Sequence, residues 1–245
     1  MELANVARIH EPARRPDEAV RRVLTIDIGG SNVKVLVNGE SEPRKRASGK
    51  TLTPPRLIEL VRELSADWEY DAIALGYPGL VGKAGPSSEP WNLGPGWVGF
   101  DFIAAFERPV RIMNDAAMQA LGSYEGGRML YLGLGTGLGS ALIVNGSIVD
   151  LELGRLLHGS GERLGDVVGR RGLERLGKPA WREVVIETVE AMMKAFLAES
   201  VVIGGGNAKR LKRELPPGVR LGHNLTAFRG GFRLWNVEPA SSAPG

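Results

Sequence analysis

Carboxylates beside glycine turns recur in this sequence, and their spacing suits phosphoryl chemistry. Asn114-Asp115 follows the short apolar stretch Val110 to Met113 and precedes a helix expected from Ala116, which puts a carboxylate at a strand-to-helix junction. Such a carboxylate can take the proton of a hydroxyl attacking phosphorus, because the hydroxyl acidifies as the new bond forms. Asp is also a favoured helix N-cap, and on these residues alone capping explains it. Asp27 lies near the end of Val23 to Ile28, where only Thr25 and Asp27 are polar, so a largely buried carboxylate needs a partner. It can be an outer-shell ligand of Mg²⁺ acting through water, or it can be satisfied by the N–H groups of the following turn. Lys34, just after Gly29-Gly30-Ser31, is placed to reach phosphates, although a lone lysine is more often solvated.

The glycine turns must be held by strands. Gly133 through Gly139, with Gly135, Thr136, Gly137 and Gly139 at its centre, sits between apolar strands expected at Met129 to Leu134 and Ser140 to Val144. Without a Cβ these residues let an anion approach the main chain; an ordinary glycine-rich hairpin reads the same way. The stretch from Leu24 through Gly39 has the same plan of strand, glycine turn, strand and closing Asn-Gly turn. A unit used twice suggests two related lobes. Val201 through Asn207 adds a strand, the turn Gly204-Gly205-Gly206 and a helix start at Asn207, whose N–H groups could flank a phosphate chain.

Between these lie a polar loop, Ser41 to Thr53; a helix, Pro54 to Leu64, with Leu57, Leu60, Val61 and Leu64 on one face; and a strand, Tyr70 to Gly76, ending in Tyr77-Pro78-Gly79. The long loop from Gly82 to Asp101 carries Asn92, Trp91 and Trp97, which suit a sugar or a lid packed by its own aromatics. Glu152 and Glu162 can accept hydrogen bonds from sugar hydroxyls or be solvated. Gly172 through Pro179 imitates a phosphate-binding loop but has proline where the magnesium hydroxyl belongs, so it is rejected. Trp181 to Leu197 reads as an amphipathic helix.

The absence of cysteine excludes disulfides and thiolate metal sites, and no apolar run is long enough to cross a bilayer. A cytoplasmic location is the default expectation. The net charge of +3 is spread among nearly as many acids as bases, a weak signal for nucleic acid.

Together these residues resemble the sugar kinases of the ROK (repressor, open reading frame, kinase) family, members of the actin-like ATPase superfamily, and within it the polyphosphate glucokinase branch. The resemblance spans about Val23 to Trp235. It is carried by Asp27 through Lys34, Gly76 through Gly79, Asn92 through Trp97, Asn114 through Ala116, Gly133 through Gly139, Glu152 through Gly154 and Ile203 through Lys209. It implies an α/β, two-lobed actin-like ATPase (ribonuclease H-like) fold with a central cleft. The expected division is a mobile arm over residues 1–22, a smaller lobe over 23–114, a larger lobe over 115–235 and a tail over 236–245. By this resemblance Asp115 is the base acting on the C6 hydroxyl of glucose or a related hexose. Asn92, Asn114 and Glu152 bind the sugar, and Gly29, Gly30, Ser31, Lys34 and Gly135 through Gly139 hold donor phosphates. Asp27 places Mg²⁺ through water, and Gly204 through Gly206 with Asn207 flank adenosine or an extended phosphate chain.

Relatives carry histidine after the Glu-Leu-Gly motif and a cysteine-rich zinc motif. Here Arg155 takes the histidine position and no structural zinc is expected. An arginine has no acceptor and cannot copy a neutral histidine, so His158 is a candidate substitute beside Arg155 itself. The donor is polyphosphate or ATP, and Lys209, Arg210, Lys212 and Arg213 could form a basic track for the former. A homodimer is expected, with no nucleic-acid or membrane partner. The alternative is a catalytically weakened, sugar-binding protein with a sensing or regulatory role, although residues 1–22 are too few for the helix-turn-helix of the family's repressors.

Overall fold

The computed structural model describes residues 20, 22–159, 161–211, 214–223 and 225–236. Most of the expected arm and tail, and Lys212 and Arg213 of the expected basic track, lie outside the described residues. The chain divides into two compact units. One holds the described residues between Ser123 and Asn224; the other holds those up to Gly122 together with those from Leu225. The sequence boundary at Asn114 instead separates the first long strands from the helix that follows them.

In the unit that begins the chain, β1 (Val23–Ile28), β2 (Asn32–Val37), β3 (Arg44–Ala47), β4 (Ala72–Tyr77) and β7 (Val110–Asn114) form a sheet of order β3-β2-β1-β4-β7. The pairs β1–β2 and β2–β3 are antiparallel, while β1–β4 and β4–β7 are parallel. A two-stranded ribbon of β5 (Val81–Gly82) and β6 (Gly85–Pro86) precedes the long loop. The helices are α1 (Pro54–Leu64), α2 (Phe102–Phe106), α3 (Asp115–Ser123) and, from the far end of the chain, α6 (Thr226–Leu234). Proline in the first turn and a buried stripe of Leu57, Leu60, Val61 and Leu64 place α1 on one face of the sheet, against Leu24, Ile26, Val33 and Val35. The opposite face takes α6, whose Phe228 and Phe232 pack with Val23, Leu36 and Ala74.

The other unit repeats the plan. Its β8 (Arg128–Leu134), β9 (Leu138–Val144), β10 (Ser147–Leu151), β11 (Ser200–Gly204) and β12 (Val219–Leu221) run in the order β10-β9-β8-β11-β12. Again the first three strands are antiparallel neighbours and β11 joins β8 in parallel. The duplicated hairpin is therefore the visible part of a duplicated sheet. The short α4 (Leu164–Val168) and long α5 (Arg170–Ala195) cover it, with Trp181 buried and its indole N–H donating to Val168 O at 2.9 Å.

Two segments differ from expectation. The polar stretch Ser41 to Thr53 contains β3, a charged edge strand with no apolar alternation to announce it. The helix expected from Trp181 starts at Arg170 and is broken at Gly177, where φ is 73°. Gly177 takes a left-handed conformation and Pro179 restarts the helix, so the imitation phosphate loop is a helix junction.

Candidate active site

Because β1, β4 and β7 are parallel, their C-terminal ends lie together, and the candidate residues of this unit gather there. Asp27 is directly opposite Lys34 in the β1–β2 ladder, and Lys34 Nζ lies 2.9 Å from Asp27 Oδ2, with the carboxylate side chain only 11% exposed. The buried acid finds its partner across the hairpin rather than in the turn. At the turn, Gly29 N donates to Asn32 O at 2.9 Å, Ser48 Oγ donates to Gly29 O at 3.0 Å and Ser48 N donates to Ser31 O at 3.1 Å. These bonds occupy the Gly29 N–H and the Gly29 and Ser31 carbonyls and leave Gly30 and Ser31 exposed. Sequence reading missed Ser48, which lay in the supposed loop.

Asn92 reaches this turn. A Cβ on Gly30 would stand 2.6 Å from Asn92 Nδ2, so glycine leaves room for the end of that side chain. Asn92 Oδ1 is buried without a hydrogen-bond partner, an acceptor in want of a donor. The loop itself is fixed by packing. Trp97 is fully buried against Tyr77, with ring centroids 5.5 Å apart, and its indole donates to Gly94 O at 2.7 Å. Tyr77 Oη donates to Ser88 O at 2.7 Å, and burial pushes its phenol far above the ordinary value, so it stays a donor. Burial raises the Glu89 carboxyl, but main-chain donors, Trp97 N and Val98 N among them, outweigh that and hold it below the usual range. Self-packing thus accounts for Trp97, whereas Trp91 is 77% exposed.

The start of α3 departs from the capping expectation. Asn114 Oδ1 accepts from Ala116 N at 2.9 Å and Ala117 N at 3.1 Å, and Asn114 Nδ2 donates to Gly79 O at 3.1 Å. Asn114 caps the helix and ties it to the turn after β4. Asp115 is the first helical residue, with Oδ1 accepting from Ala116 N at 2.8 Å. One turn on, Met118 covers Gly76, the residue beside Asp27 in the β1–β4 ladder; a Cβ on Gly76 would lie 2.4 Å from the Met118 methyl. The Met118 face of α3 therefore lies on the side of the sheet to which Asp27 and Lys34 project.

In the other unit the two glycine turns are joined. Asn207 N donates to Leu134 O at 3.0 Å and Asn207 Nδ2 donates to Gly135 O at 2.9 Å. Gly205, with φ of 81°, passes so close to β8 that a Cβ would lie 2.5 Å from Leu134 O. Arg170 N, at the start of α5, donates to Gly135 O and Thr136 O at 3.1 and 3.2 Å. The Gly135 N–H is tied as well, donating to Gly137 O at 3.1 Å, while Thr136, Gly137, Gly139 and Gly206 stay at least partly exposed.

Glu152 and Arg155 flank a short 3-10 turn, and Arg155 Nε donates to Glu152 Oε2 at 3.1 Å with the side chains 70% and 48% exposed. Gly154 between them allows close approach to β9, since a Cβ would meet Leu138 O at 2.7 Å. His158 stands apart from this pair, in an indentation of about 320 Å³ shared with Leu156, Thr188 and Met192. Glu162 is ion-paired with Arg175. An exposed pair such as Glu152–Arg155 adds little stability. Arg155→Ala is therefore expected to leave the melting temperature within about 2 °C, read by calorimetry.

A sheet plan used twice, each time with a glycine turn after its first strand, defines a protein of the actin-like ATPase fold. The model described as the ROK family matches residues 23–155, more than half of the chain, and the chain belongs to the ROK family. It is 26% identical over 226 residues to a polyphosphate glucokinase of Mycobacterium tuberculosis, covering 80% of this chain and 82% of that one. Against the polyphosphate glucokinase of Mycobacterium leprae it is 26% identical over 225 residues and spans 66% of that protein's length. The crystal structure of an inorganic polyphosphate/ATP-glucomannokinase from Arthrobacter sp. matches with a TM-score of 0.75 at 23% identity, over 87% of this chain and 98% of that one.

Proposed function

We propose that the protein is a hexokinase-type phosphotransferase that moves a phosphoryl group from polyphosphate or ATP to the C6 hydroxyl of glucose. The observation that carries this reading is the division of labour at the start of α3. Asn114 does the capping, and Asp115 begins α3 one turn before Met118, which lies on the side of the sheet where Asp27 and Lys34 project. Asp115 takes the hydroxyl proton as O6 bonds to phosphorus; the bond from phosphorus to the bridging oxygen breaks, releasing ADP or a polyphosphate one unit shorter. Within the unit that begins the chain, Asn92 Oδ1 is the acceptor for a sugar hydroxyl and the exposed main chain at Gly30 and Ser31 is the seat for donor phosphates; in the other unit Glu152, oriented by Arg155, is an acceptor for hydroxyls, and the main chain at Thr136 and Gly137 is a second phosphate seat.

Among the described residues no group of three or more His, Cys, Asp or Glu side chains is arranged to hold a metal. A lone carboxylate already paired with Lys34 fits a Mg²⁺ ion carried mainly by donor phosphates and water, with Asp27 as an outer contact. Such an ion would supply charge neutralisation on the transferring group. No helix among the described residues is long and apolar enough to cross a membrane.

The test is glucose 6-phosphate formation from glucose and Mg²⁺ with polyphosphate or ATP as sole donor. Product with polyphosphate, alone or beside ATP, supports the proposed donor range; product with ATP alone removes polyphosphate from it. No product with either, together with glucose binding by calorimetry, would replace the kinase reading with a sugar-sensing one.

A further inference from the structure

Resting on the phosphoryl-transfer reading, we propose that Lys34 and Lys45 form a cationic row that holds the distal phosphates of an extended polyphosphate donor. Asp27, Lys34 and Lys45 lie directly opposite one another across β1, β2 and β3, so their side chains project to one face of the sheet. Lys34 is bound to Asp27 yet 42% exposed. Lys45 is exposed and, among the described residues, has no acidic side chain within ion-pair distance. The row therefore carries one net positive charge beyond what Asp27 neutralises.

Asp27 offsets the Lys34 charge, so the uncompensated charge on this face of the ladder is that of Lys45. Protection of an edge strand from stray pairing is already supplied on the other face by Arg46 and by Arg44, which is ion-paired with Asp67 and stacked 3.8 Å over Trp68. What distinguishes the Lys45 side is its position. Just after β3, Ser48 ties its main chain and hydroxyl to Ser31 O and Gly29 O, so the strand bearing Lys45 is bonded to the first phosphate turn. A donor whose reacting end lies at that turn has a row of ammonium groups beside it. A linear polyanion with a charge on every phosphate can use such a row, whereas ATP ends its phosphate chain in a nucleoside.

The experiment is equilibrium binding of a long-chain polyphosphate by calorimetry to wild type, Lys45→Gln and Lys45→Arg, repeated with tripolyphosphate and over a range of salt. Lys45→Gln is expected to weaken long-chain binding by about fivefold and to reduce the salt dependence by about one charge contact, with a smaller effect on tripolyphosphate. Lys45→Arg is expected to bind like wild type. Equal weakening for both chain lengths, no weakening, or no long-chain binding by the wild type would each overturn the row. Because the readout is binding, an inactive wild type that still shows the pattern would sink the kinase reading and leave the row standing.

Discussion

Asp115→Asn is expected to cut glucose phosphorylation by about a thousandfold while glucose binding stays within a few-fold of wild type. Asparagine has the shape of aspartate and keeps an oxygen for the Ala116 N–H, which Asp115 Oδ1 accepts at 2.8 Å. It cannot take a proton at neutral pH. The cap of α3 is untouched, because Asn114 Oδ1 supplies it through Ala116 N and Ala117 N. The attraction between a first-turn carboxylate and the helix dipole, about 0.3–1 kcal/mol at an accessible site, is lost, which moves the melting temperature by a few degrees. Turnover, sugar affinity and melting temperature therefore separate cleanly. A variant that retains a tenth or more of wild-type turnover with both donors would remove Asp115 from the role of base. A variant that melts far below wild type would show that the carboxylate is structural.

The parts of this molecule written in local sequence were legible. Helix α1 announces itself through its prolines and the spacing of Leu57, Leu60, Val61 and Leu64, and its bounds are Pro54–Leu64 as expected. The repeated hairpins were visible because each needs glycine at the turn and an Asn-Gly closure, and they pointed to the duplicated sheet plan. Strand β3 was not visible, since a charged edge strand has no buried face to impose alternation. Nor was the exchange of roles at α3: Asn114 and Asp115 are equally good caps, and only the extension of β7 to Asn114 decides which of them serves. The Asp27–Lys34 pair was within reach, because the hairpin register places these residues opposite each other once the turn is set. The contact of Asn92 with Gly30, the joining of Asn207 to Gly135 and the packing of α6 on β1 depend on residues far apart in the chain. No window of sequence contains them.

Gly230→Ala tests one of those distant contacts, and its expected effect on stability is the largest here. Helices α3 and α6 cross where Gly122 and Gly230 face each other's main chain: a Cβ on Gly122 would lie 1.8 Å from Thr226 O, and one on Gly230 would lie 1.8 Å from Met118 O. Neither obstacle is a flexible side-chain end, so the helices must separate. Beneath them Gly231 rests on the buried Thr25 hydroxyl, and Phe228 and Phe232 fill the space against β1, which blocks relief in that direction. The gain in helix propensity from alanine, under 1 kcal/mol, is outweighed by overpacking at the upper end of its usual range, about 3 kcal/mol. The melting temperature should fall by on the order of 10 °C. Because α3 begins with Asp115, its displacement should also reach the chemistry. At a temperature where the variant is still folded, kcat should drop by about a hundredfold, the effect of moving the proposed base by an ångström. Gly230→Ala with a wild-type melting temperature would show that α6 can move away at little cost. A lowered melting temperature with unchanged kcat would show that the position of Asp115 is set by Asn114 and Gly79 alone, independently of the helix crossing.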